Sequence, residues 1–274
     1  MKIIAILLTH VLFLHSILAY NVGLCIVATG RYDKFAEQLI ASARNYFCTN
    51  HNVTYFVFTD SEKLIAPDIV KIYQQKLGWP YDTLMRFAMY DLHMPHYDLD
   101  YIFALDADML LVAPVGDEIF HDRVATQHPG YVDRRGTYEI NSISTAYVND
   151  SEGNIYFAGG FYGGTKKEFL MLVHLLKNNI EIDLQKNHIA IWHDESHLNR
   201  YFIDFEPTVI LSSSYCYPED PCYNLTCSKK IIARSKNHIQ IRKKLRRQPK
   251  NHDLQQNSII NVPSKLKNMK PSRK

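Results

Sequence analysis

The stretch that most constrains this chain is residues 101–111, YIFALDADMLL, in which a short apolar run leads directly into two aspartates. A continuously apolar run of this length is typical of a strand buried on both faces of a sheet, because a half-buried strand alternates apolar and polar residues. Such strands are common in α/β proteins, in which ligands bind at the carboxyl ends of the strands. The stretch therefore predicts a buried strand that ends at a ligand site.

The two aspartates, Asp106 and Asp108, need a compensating charge or water. A buried carboxylate without a partner is very costly, so we expect a metal ion, a cationic side chain or solvent beside them. Carboxylate oxygens are hard ligands that suit Mg²⁺ or Mn²⁺ held jointly with the phosphates of a substrate. Two solvated aspartates in a turn are the alternative, and they are the usual explanation of an isolated Asp-x-Asp.

Strand and helix patterns alternate through the first half of the chain. Apolar runs predict strands at 21–28, 52–59 and 68–73. Amphipathic spacing predicts helices at 35–47 and 83–92. This alternation predicts an α/β fold with a mainly parallel central sheet and helices on both faces. Residues 130–154 follow no sustained period, which is typical of a functional loop.

Two local signals follow this loop. Gly159 and Gly160 interrupt an apolar run, and adjacent glycines in a strand indicate a bulge or a close approach of a ligand to the backbone. Thr165, with Glu168 three residues later, predicts a capping box at the start of a helix over 166–178.

Residues 191–199 (IWHDESHLN) concentrate two acidic groups, two histidines and a tryptophan within six positions, which is unusual for a solvated helix face. If a helix begins here, Asp194 or His193 lies near the positive end of its dipole. The order HDESH differs from the HExxH zinc motif, so we set a zinc protease aside.

The two ends of the chain differ from the rest. Residues 3–19 are a 17-residue apolar stretch with one positive charge ahead of it, so segment 1–20 predicts a signal anchor or a cleaved signal peptide, with a buried helix as the third possibility. The net charge of +3 is concentrated in a basic C-terminal cluster. Residues 249–274 predict a disordered basic tail. Because no aromatic platform or recognised motif accompanies it, we do not expect nucleic acid as a partner.

Sequons and cysteines agree with an oxidising, lumenal compartment. Three glycosylation sequons begin at Asn52, Asn149 and Asn224. Three of the five cysteines fall within twelve residues, where a local disulfide is compatible with the spacing: Cys216, Cys222 and Cys227.

Taken together and in this order, the motifs resemble those of one family, the family 6 glycosyltransferases. The likeness is carried by VGLCIVATGRY at 22–32, TYFVFTD at 54–60, LDADM at 105–109, FAGGFYGGT at 157–165 and WHDESHLNRYF at 192–202. The resemblance implies a nucleotide-sugar-binding fold of the GT-A type, with a catalytic domain over 21–248. It also implies a retaining transfer of N-acetylgalactosamine or galactose from a UDP-sugar to a galactose-terminated glycan acceptor in α1,3 linkage.

The resemblance also implies the donor site. Asp106 and Asp108 would hold Mn²⁺, with Mg²⁺ as the possible substitute, against the diphosphate. The other donor-binding positions would be Val27, Ala28, Tyr32, Arg86, Ala107, Asp194, Lys236 and Arg242. Negative charge develops on the UDP leaving group as its bond to the sugar breaks, and a divalent ion with lysine and arginine stabilises that charge.

Glu195 is the candidate catalytic carboxylate, on the opposite side of the anomeric carbon from UDP. It either forms a covalent intermediate as a nucleophile or stabilises an oxocarbenium-like transition state. The positions that resemble acceptor contacts are His128, Thr137 and His193. The positions that resemble the sugar-discriminating segment of the family are Ala158, Gly159 and Gly160.

The small size of the residue at position 160 favours one of the two sugar donors. A glycine there leaves room for an N-acetyl group, and in the family glycine accompanies N-acetylgalactosamine whereas alanine accompanies galactose. We therefore expect UDP-N-acetylgalactosamine, with UDP-galactose as the alternative. A protein that binds sugar or UDP without turnover is the alternative to an enzyme, although it would have no need to keep carboxylates that are costly to bury.

The resemblance and the apolar N-terminal segment together place the chain in the secretory pathway. We expect a single-pass type II membrane protein of the Golgi, attached through that segment, or a secreted protein if the segment is cleaved. The acidic acceptor contact of the family has no clean equivalent in residues 212–220, SSSYCYPED, so the acceptor stays open.

Overall fold

The computed structural model describes residues 19–220 and 225–235. The predicted N-terminal segment and basic tail, together with Cys222 and Asn224, lie outside these ranges and stay predictions. Within the described ranges, no helix is both long enough and apolar enough to span a bilayer.

Ten strands and five α-helices make up the described chain. The strands are β1 (Asn21–Val27), β2 (Asn52–Thr59), β3 (Ile69–Tyr73), β4 (Tyr101–Leu105), β5 (Met109–Leu111), β6 (Arg123–Gln127), β7 (Phe157–Thr165), β8 (Val209–Leu211), β9 (Tyr217–Pro218) and β10 (Ile231–Ala233). The helices are α1 (Asp33–Tyr46), α2 (Tyr81–Leu84), α3 (Arg86–His93), α4 (Lys166–Gln185) and α5 (Asp194–Asp204).

Seven strands form the central sheet in the order β3-β2-β1-β4-β7-β6-β8, and β5, β10 and β9 form a small second sheet. In the central sheet only β7 is reversed: it pairs antiparallel with both β4 and β6, and the remaining pairs are parallel. The carboxyl ends of β1, β2 and β4 therefore meet at one edge, which also receives the beginning of β7. The predicted α/β fold with a mainly parallel sheet is confirmed.

Alternate side chains of the inner strands enter two separate apolar layers, because successive side chains of a strand point to opposite faces. Leu24 and Phe103 face a layer that contains the apolar side of α1. Cys25 and Ile102 face a second layer, which is closed by α3, α4 and α5. Helices therefore cover both faces of the sheet, as the sequence predicts.

Two local predictions were wrong. Helix α4 continues to Gln185, because Ile180 and Leu184 extend its buried stripe. Its capping box is absent: the Thr165 side chain caps no helical N–H, and Glu168 pairs with Arg123 of β6 at 2.9 Å. A neighbouring strand therefore takes the carboxylate that the local pattern assigns to the cap.

The expected disulfide does not form between the two described members of the cysteine group. Cys216 is a buried free thiol and Cys227 is also free. The third member, Cys222, lies outside the described residues.

Candidate functional site

The aspartates of the opening stretch lie in the turn between β4 and β5. The Asp106 N–H donates to the Gly160 carbonyl of β7 at 3.0 Å, and the Met109 N–H donates back to the Asp106 carbonyl at 3.0 Å. The Asp108 side chain and Ala107 are buried, whereas Asp106 is partly open to solvent. The backbone of β7 thus fixes the turn at the carboxyl edge of the sheet.

The end of β1 lies at the same edge. The Ala28 N–H donates to the Phe58 carbonyl at 2.8 Å, and the Thr59 hydroxyl donates to the Ala28 carbonyl at 2.6 Å. Val27 closes this strand, and the half-buried Tyr32 follows in a short 3-10 turn. These three predicted nucleotide contacts, Val27, Ala28 and Tyr32, therefore occupy one strand end and the turn after it.

Arg86, the first residue of α3, joins two carboxylates that are distant in sequence. Its Nη1 lies 2.9 Å from Asp106 Oδ1, and its Nε lies 3.3 Å from Asp194 Oδ2. The guanidinium is buried, and although burial by itself lowers the pKa of Arg86, the two aspartates raise it well above its usual value. A buried cation with two anionic partners is stable where an unpaired one is not.

Helix α5 is clamped to the beginning of β7 by one side chain. The Asn199 carboxamide accepts from the Phe157 N–H at 2.8 Å and donates to the Phe157 carbonyl at 2.9 Å, so it pairs with the strand as a neighbouring strand would. Its amide also donates to the Glu195 carbonyl, one turn earlier, at 2.9 Å. These hydrogen bonds hold α5 so that Glu195 lies next to Gly159.

The Glu195 side chain contacts the backbone of β7 at Gly159. Its Oε2 accepts the Gly159 N–H at 2.8 Å. A Cβ at Gly159 would lie 3.4 Å from the same carboxylate oxygen, in van der Waals contact with it. Burial, with Asp194 and Asp106 nearby, raises the pKa of Glu195 to about 7, whereas the Gly159 N–H and the Tyr156 hydroxyl act in the opposite direction.

These groups line one cavity, together with two side chains from outside the predicted set. The lining residues are Thr83, Arg86, Asp106, Gly159, Trp192, Asp194 and Glu195. Five of these seven were predicted as site residues from the sequence. The cavity therefore brings the end of β4, the beginnings of α3 and α5, and the glycine segment together at the edge where α/β proteins bind ligands.

The predicted acceptor contacts, His128, Thr137 and His193, are not among the residues that line this cavity. The His193 ring, which precedes α5 at φ +54°, packs edge-on against Trp79 with centroids 4.6 Å apart. His128 Nδ1 accepts the Gly130 N–H at 3.0 Å, and burial lowers the pKa of His128 to about 4. The Thr137 hydroxyl lies 3.0 Å from the Tyr131 hydroxyl.

The space beside Gly160 is shared with two side chains. A Cβ built there would lie 2.2 Å from the terminal methyl of Met109 and 3.3 Å from Cys216 Sγ. Because the methionine tip is flexible, an alanine at this position would act first on Met109, which follows the aspartate turn. Ala158, two residues earlier, is buried in the layer that contains α1.

The carboxylates of Asp106 and Asp108 are ligands of a type that suits a metal ion shared with a substrate. Among the described residues, no group of three or more histidine, cysteine, aspartate or glutamate side chains could hold a metal ion. Asp106 and Asp108 offer hard carboxylate oxygens in one turn, and a cation held there would take its remaining ligands from phosphate or water, which is usual for Mg²⁺ sites. Two carboxylates in one turn are compatible with the predicted ion, and Asp106 is the one of the two that lines the cavity.

Two predicted donor contacts, Lys236 and Arg242, lie outside the described residues. The described chain ends at Ser235, directly after Arg234, whose N–H donates to the Asp108 carbonyl at 3.1 Å. Pairing of β10 with β5 brings this part of the chain to the aspartate turn.

Sequence reasoning missed three contributors to the site. Trp192 and Thr83 line the cavity, and each lies within three residues of a predicted site residue, so proximity to the motifs was the available signal. Asn199 acts through its pairing with β7, which no local pattern indicates.

The fold and the site together define an α/β protein of the GT-A type, with a cavity formed at the carboxyl edge of its sheet. The family described as Glycosyltransferase family 6 matches residues 9–243, and the chain belongs to that family.

Similar proteins occur in animals and bacteria. The chain is 32% identical over 214 residues to the globoside alpha-1,3-N-acetylgalactosaminyltransferase 1 of Gallus gallus, covering 73% of this chain and 62% of that protein. It is 32% identical over 241 residues to the histo-blood group ABO system transferase 1 of Rattus norvegicus, covering 81% and 68%. It is 31% identical over 219 residues to the O-antigen biosynthesis glycosyltransferase WbnI of Escherichia coli, covering 77% and 92%.

We expect Arg86→Met to be strongly destabilising because it leaves Asp106 and Asp194 without their cation in a buried site. Removing one partner of a buried ion pair costs about 3–5 kcal/mol. Arg44→Met is the matched control, since Arg44 binds Asp68 at 2.7 Å with a side chain that is 44% exposed, and exposed pairs contribute about 0–1 kcal/mol. Urea unfolding of both variants measures the difference, and equal costs would contradict the structural role of Arg86.

The raised pKa of Glu195 predicts a pH dependence of stability. Between its ordinary pKa of 4.5 and the folded value of about 7, the unfolded chain releases the proton that the folded protein retains, so the free energy of unfolding falls as pH rises. In metal-free buffer, wild type should lose roughly 1–3 kcal/mol relative to Glu195→Gln across this window. The exposed Glu62→Gln variant retains Glu195 and should keep the pH dependence of wild type, and parallel curves for wild type and Glu195→Gln would refute the assignment.

Proposed function

We propose that the chain is a retaining glycosyltransferase that moves N-acetylgalactosamine from UDP-N-acetylgalactosamine to a galactose-terminated glycan in α1,3 linkage, with Mn²⁺ or, in its place, Mg²⁺ as cofactor. The observation that carries the proposal is the meeting of Asp106, Arg86, Asp194 and Glu195 in one cavity at the carboxyl edge of the sheet. Membership of a glycosyltransferase family supports the reaction class. The Gallus gallus relative is named an alpha-1,3-N-acetylgalactosaminyltransferase, which supports the linkage and the sugar.

The donor would be held by groups from several elements. Asp106 and Asp108 would hold the divalent ion, which when bound would stabilise the negative charge on the leaving diphosphate. Arg86 binds both Asp106 and Asp194, and the Asp194 carboxylate would bind the hydroxyl groups of the donor sugar. Val27, Ala28 and Tyr32 would contact the uridine.

Glu195 is the group proposed to act at the anomeric carbon. Its ionised form is required whether it attacks that carbon or stabilises positive charge on the sugar. The Gly159 N–H favours this form by donating to Oε2 at 2.8 Å, and it fixes the carboxylate against the backbone of β7. In the covalent route, Glu195 would bond to the anomeric carbon as UDP departs. An acceptor hydroxyl would then displace it, which restores the Glu195 carboxylate and releases the hydroxyl proton to solvent. The two inversions give net retention.

The choice of donor depends on position 160. Glycine there avoids the contact with Met109 and Cys216 that a larger residue would make, and it leaves the Met109 side chain close to the aspartate turn. The larger N-acetylated sugar is supported here by the family resemblance, in which glycine at this position accompanies N-acetylgalactosamine, and UDP-galactose is the alternative donor. The acceptor would approach from the side of His128, Thr137 and His193.

The proposed location is the secretory pathway, with membrane attachment through the apolar N-terminal segment in the Golgi or secretion after its cleavage. Two of the three sequon asparagines are described, and both Asn52 and Asn149 are exposed, as a glycan requires.

A donor screen tests the proposed function directly. The full chain would be incubated with UDP-N-acetylgalactosamine, UDP-galactose and UDP-glucose, each over a panel of β-galactoside acceptors, with Mn²⁺ and with EDTA. We expect transfer of N-acetylgalactosamine in the Mn²⁺ samples and a product with an α1,3 bond. Preferred transfer of galactose would overturn the donor assignment. UDP binding without transfer from any donor would establish a binding protein instead of an enzyme.

Asp108→Asn tests the metal assignment without relying on turnover. In wild type, UDP at 100 times its Kd should stabilise the folded chain by about 2.7 kcal/mol with Mn²⁺ present, and far less with EDTA. The variant should lose this Mn²⁺-dependent stabilisation because one of two carboxylate ligands is missing. Asp117→Asn removes an exposed carboxylate from the same chain and should leave the stabilisation intact. Equal stabilisation of wild type and Asp108→Asn would remove Asp108 from the metal site.

A further inference from the structure

The Tyr156 hydroxyl is an unexplained buried polar group near the proposed catalytic centre. Tyr156 is 1% exposed, and its hydroxyl is buried without a hydrogen bond of normal geometry to any described residue. A buried hydroxyl without a partner costs free energy that the protein would avoid by using phenylalanine. Such an exception calls for a physical explanation.

The Tyr156 ring is held in place on several sides. Its centroid lies 4.8 Å from that of Tyr131, 5.0 Å from that of Tyr138 and 5.8 Å from that of His128. Gly136 lies so close that an added Cβ would be 2.0 Å from a Tyr156 ring carbon. The ring therefore cannot turn to carry its hydroxyl into solvent, and the direction of the O–H group is fixed by packing.

Glu195 lies next to this part of the chain, because Asn199 bonds both the backbone of Phe157, which directly follows Tyr156, and the Glu195 carbonyl. Burial and then the Glu195 carboxylate are the two largest causes that raise the pKa of Tyr156. In return, the Tyr156 hydroxyl favours the ionised form of Glu195, as the Gly159 N–H does, against the opposing charges of Asp194 and Asp106. Glu195 Oε2 already accepts from Gly159, so the Tyr156 hydroxyl supplies a second donor beside the same carboxylate.

We propose that Tyr156 is a positioning residue whose hydroxyl, aimed by the surrounding rings, donates to the Glu195 carboxylate and with the Gly159 N–H fixes its orientation toward the cavity. This inference rests on the proposed function of Glu195. It explains why the loop that carries His128, Tyr131 and Tyr138 packs behind β7: the loop supports the tyrosine that supports the glutamate. The role is indirect, since Tyr156 is not among the residues that line the cavity.

The kinetic test is Tyr156→Phe, which removes one oxygen and leaves the ring packing in place. Hydrogen bonds to charged groups contribute the equivalent of about 10- to 100-fold, so kcat should fall by that factor while the KM for the UDP-sugar stays within about 2-fold. Tyr201→Phe is the matched control, because Tyr201 is also 1% exposed with a buried, unpartnered hydroxyl but belongs to the far part of α5. Unchanged kcat in Tyr156→Phe, or equal effects of the two variants on kcat and KM, would overturn the proposal.

A second measurement does not depend on turnover. Urea unfolding of wild type, Tyr156→Phe, Glu195→Gln and the double variant forms a thermodynamic cycle. The effects of the two changes should be non-additive, whereas those of Tyr201→Phe and Glu195→Gln should add. Additive effects in the first cycle would refute the contact, even in a chain that transfers sugar. If no donor is turned over, the proposed function fails and the cycle alone decides whether the contact exists.

Discussion

The ion pairs of Arg86 are the constraint on which the site depends. Asp106 comes from the end of β4 and Asp194 from the start of α5, and they lie 88 positions apart in the sequence. Both approach the one buried guanidinium, at 2.9 Å and 3.3 Å. Without it two like charges would face each other in a poorly solvated place, so the fold could hold these carboxylates together only at a large cost in stability. The same cation thus stabilises the fold and orders the cavity.

The direction of β7 determines where Glu195, the candidate catalytic residue, can lie. Because β7 runs antiparallel to β4, its beginning rather than its end reaches the carboxyl edge, and the Gly160 carbonyl meets the Asp106 N–H there. Asn199 then fastens α5 to Phe157 at the start of the same strand. A parallel strand in this position would bring its other end to the edge, and Glu195 would have no glycine backbone to face.

Much of this architecture could be predicted from the sequence, for physical reasons. Buried strands are continuously apolar, and parallel strands end at a common edge, so the positions of Asp106 and of the end of β1 followed from the pattern alone. Asn199 and Tyr156 could not be found in this way, since their roles depend on which segment packs against them. The failed capping box at Thr165 has the same cause: Glu168 finds Arg123 of β6, a partner that only the tertiary structure supplies.

The net charge of the cavity wall bears on how a nucleotide-sugar would bind. Among the described residues, its wall holds three carboxylates, from Asp106, Asp194 and Glu195, and one guanidinium, from Arg86. With all of them ionised the wall is negative, and it would repel a diphosphate and raise the free energy of an ionised Glu195. A nucleotide-sugar would therefore bind more readily with added positive charge, which is the physical reason for proposing a divalent cation at Asp106 and Asp108. The same addition would favour the ionised glutamate, so donor binding and activation of Glu195 would be coupled through one charge.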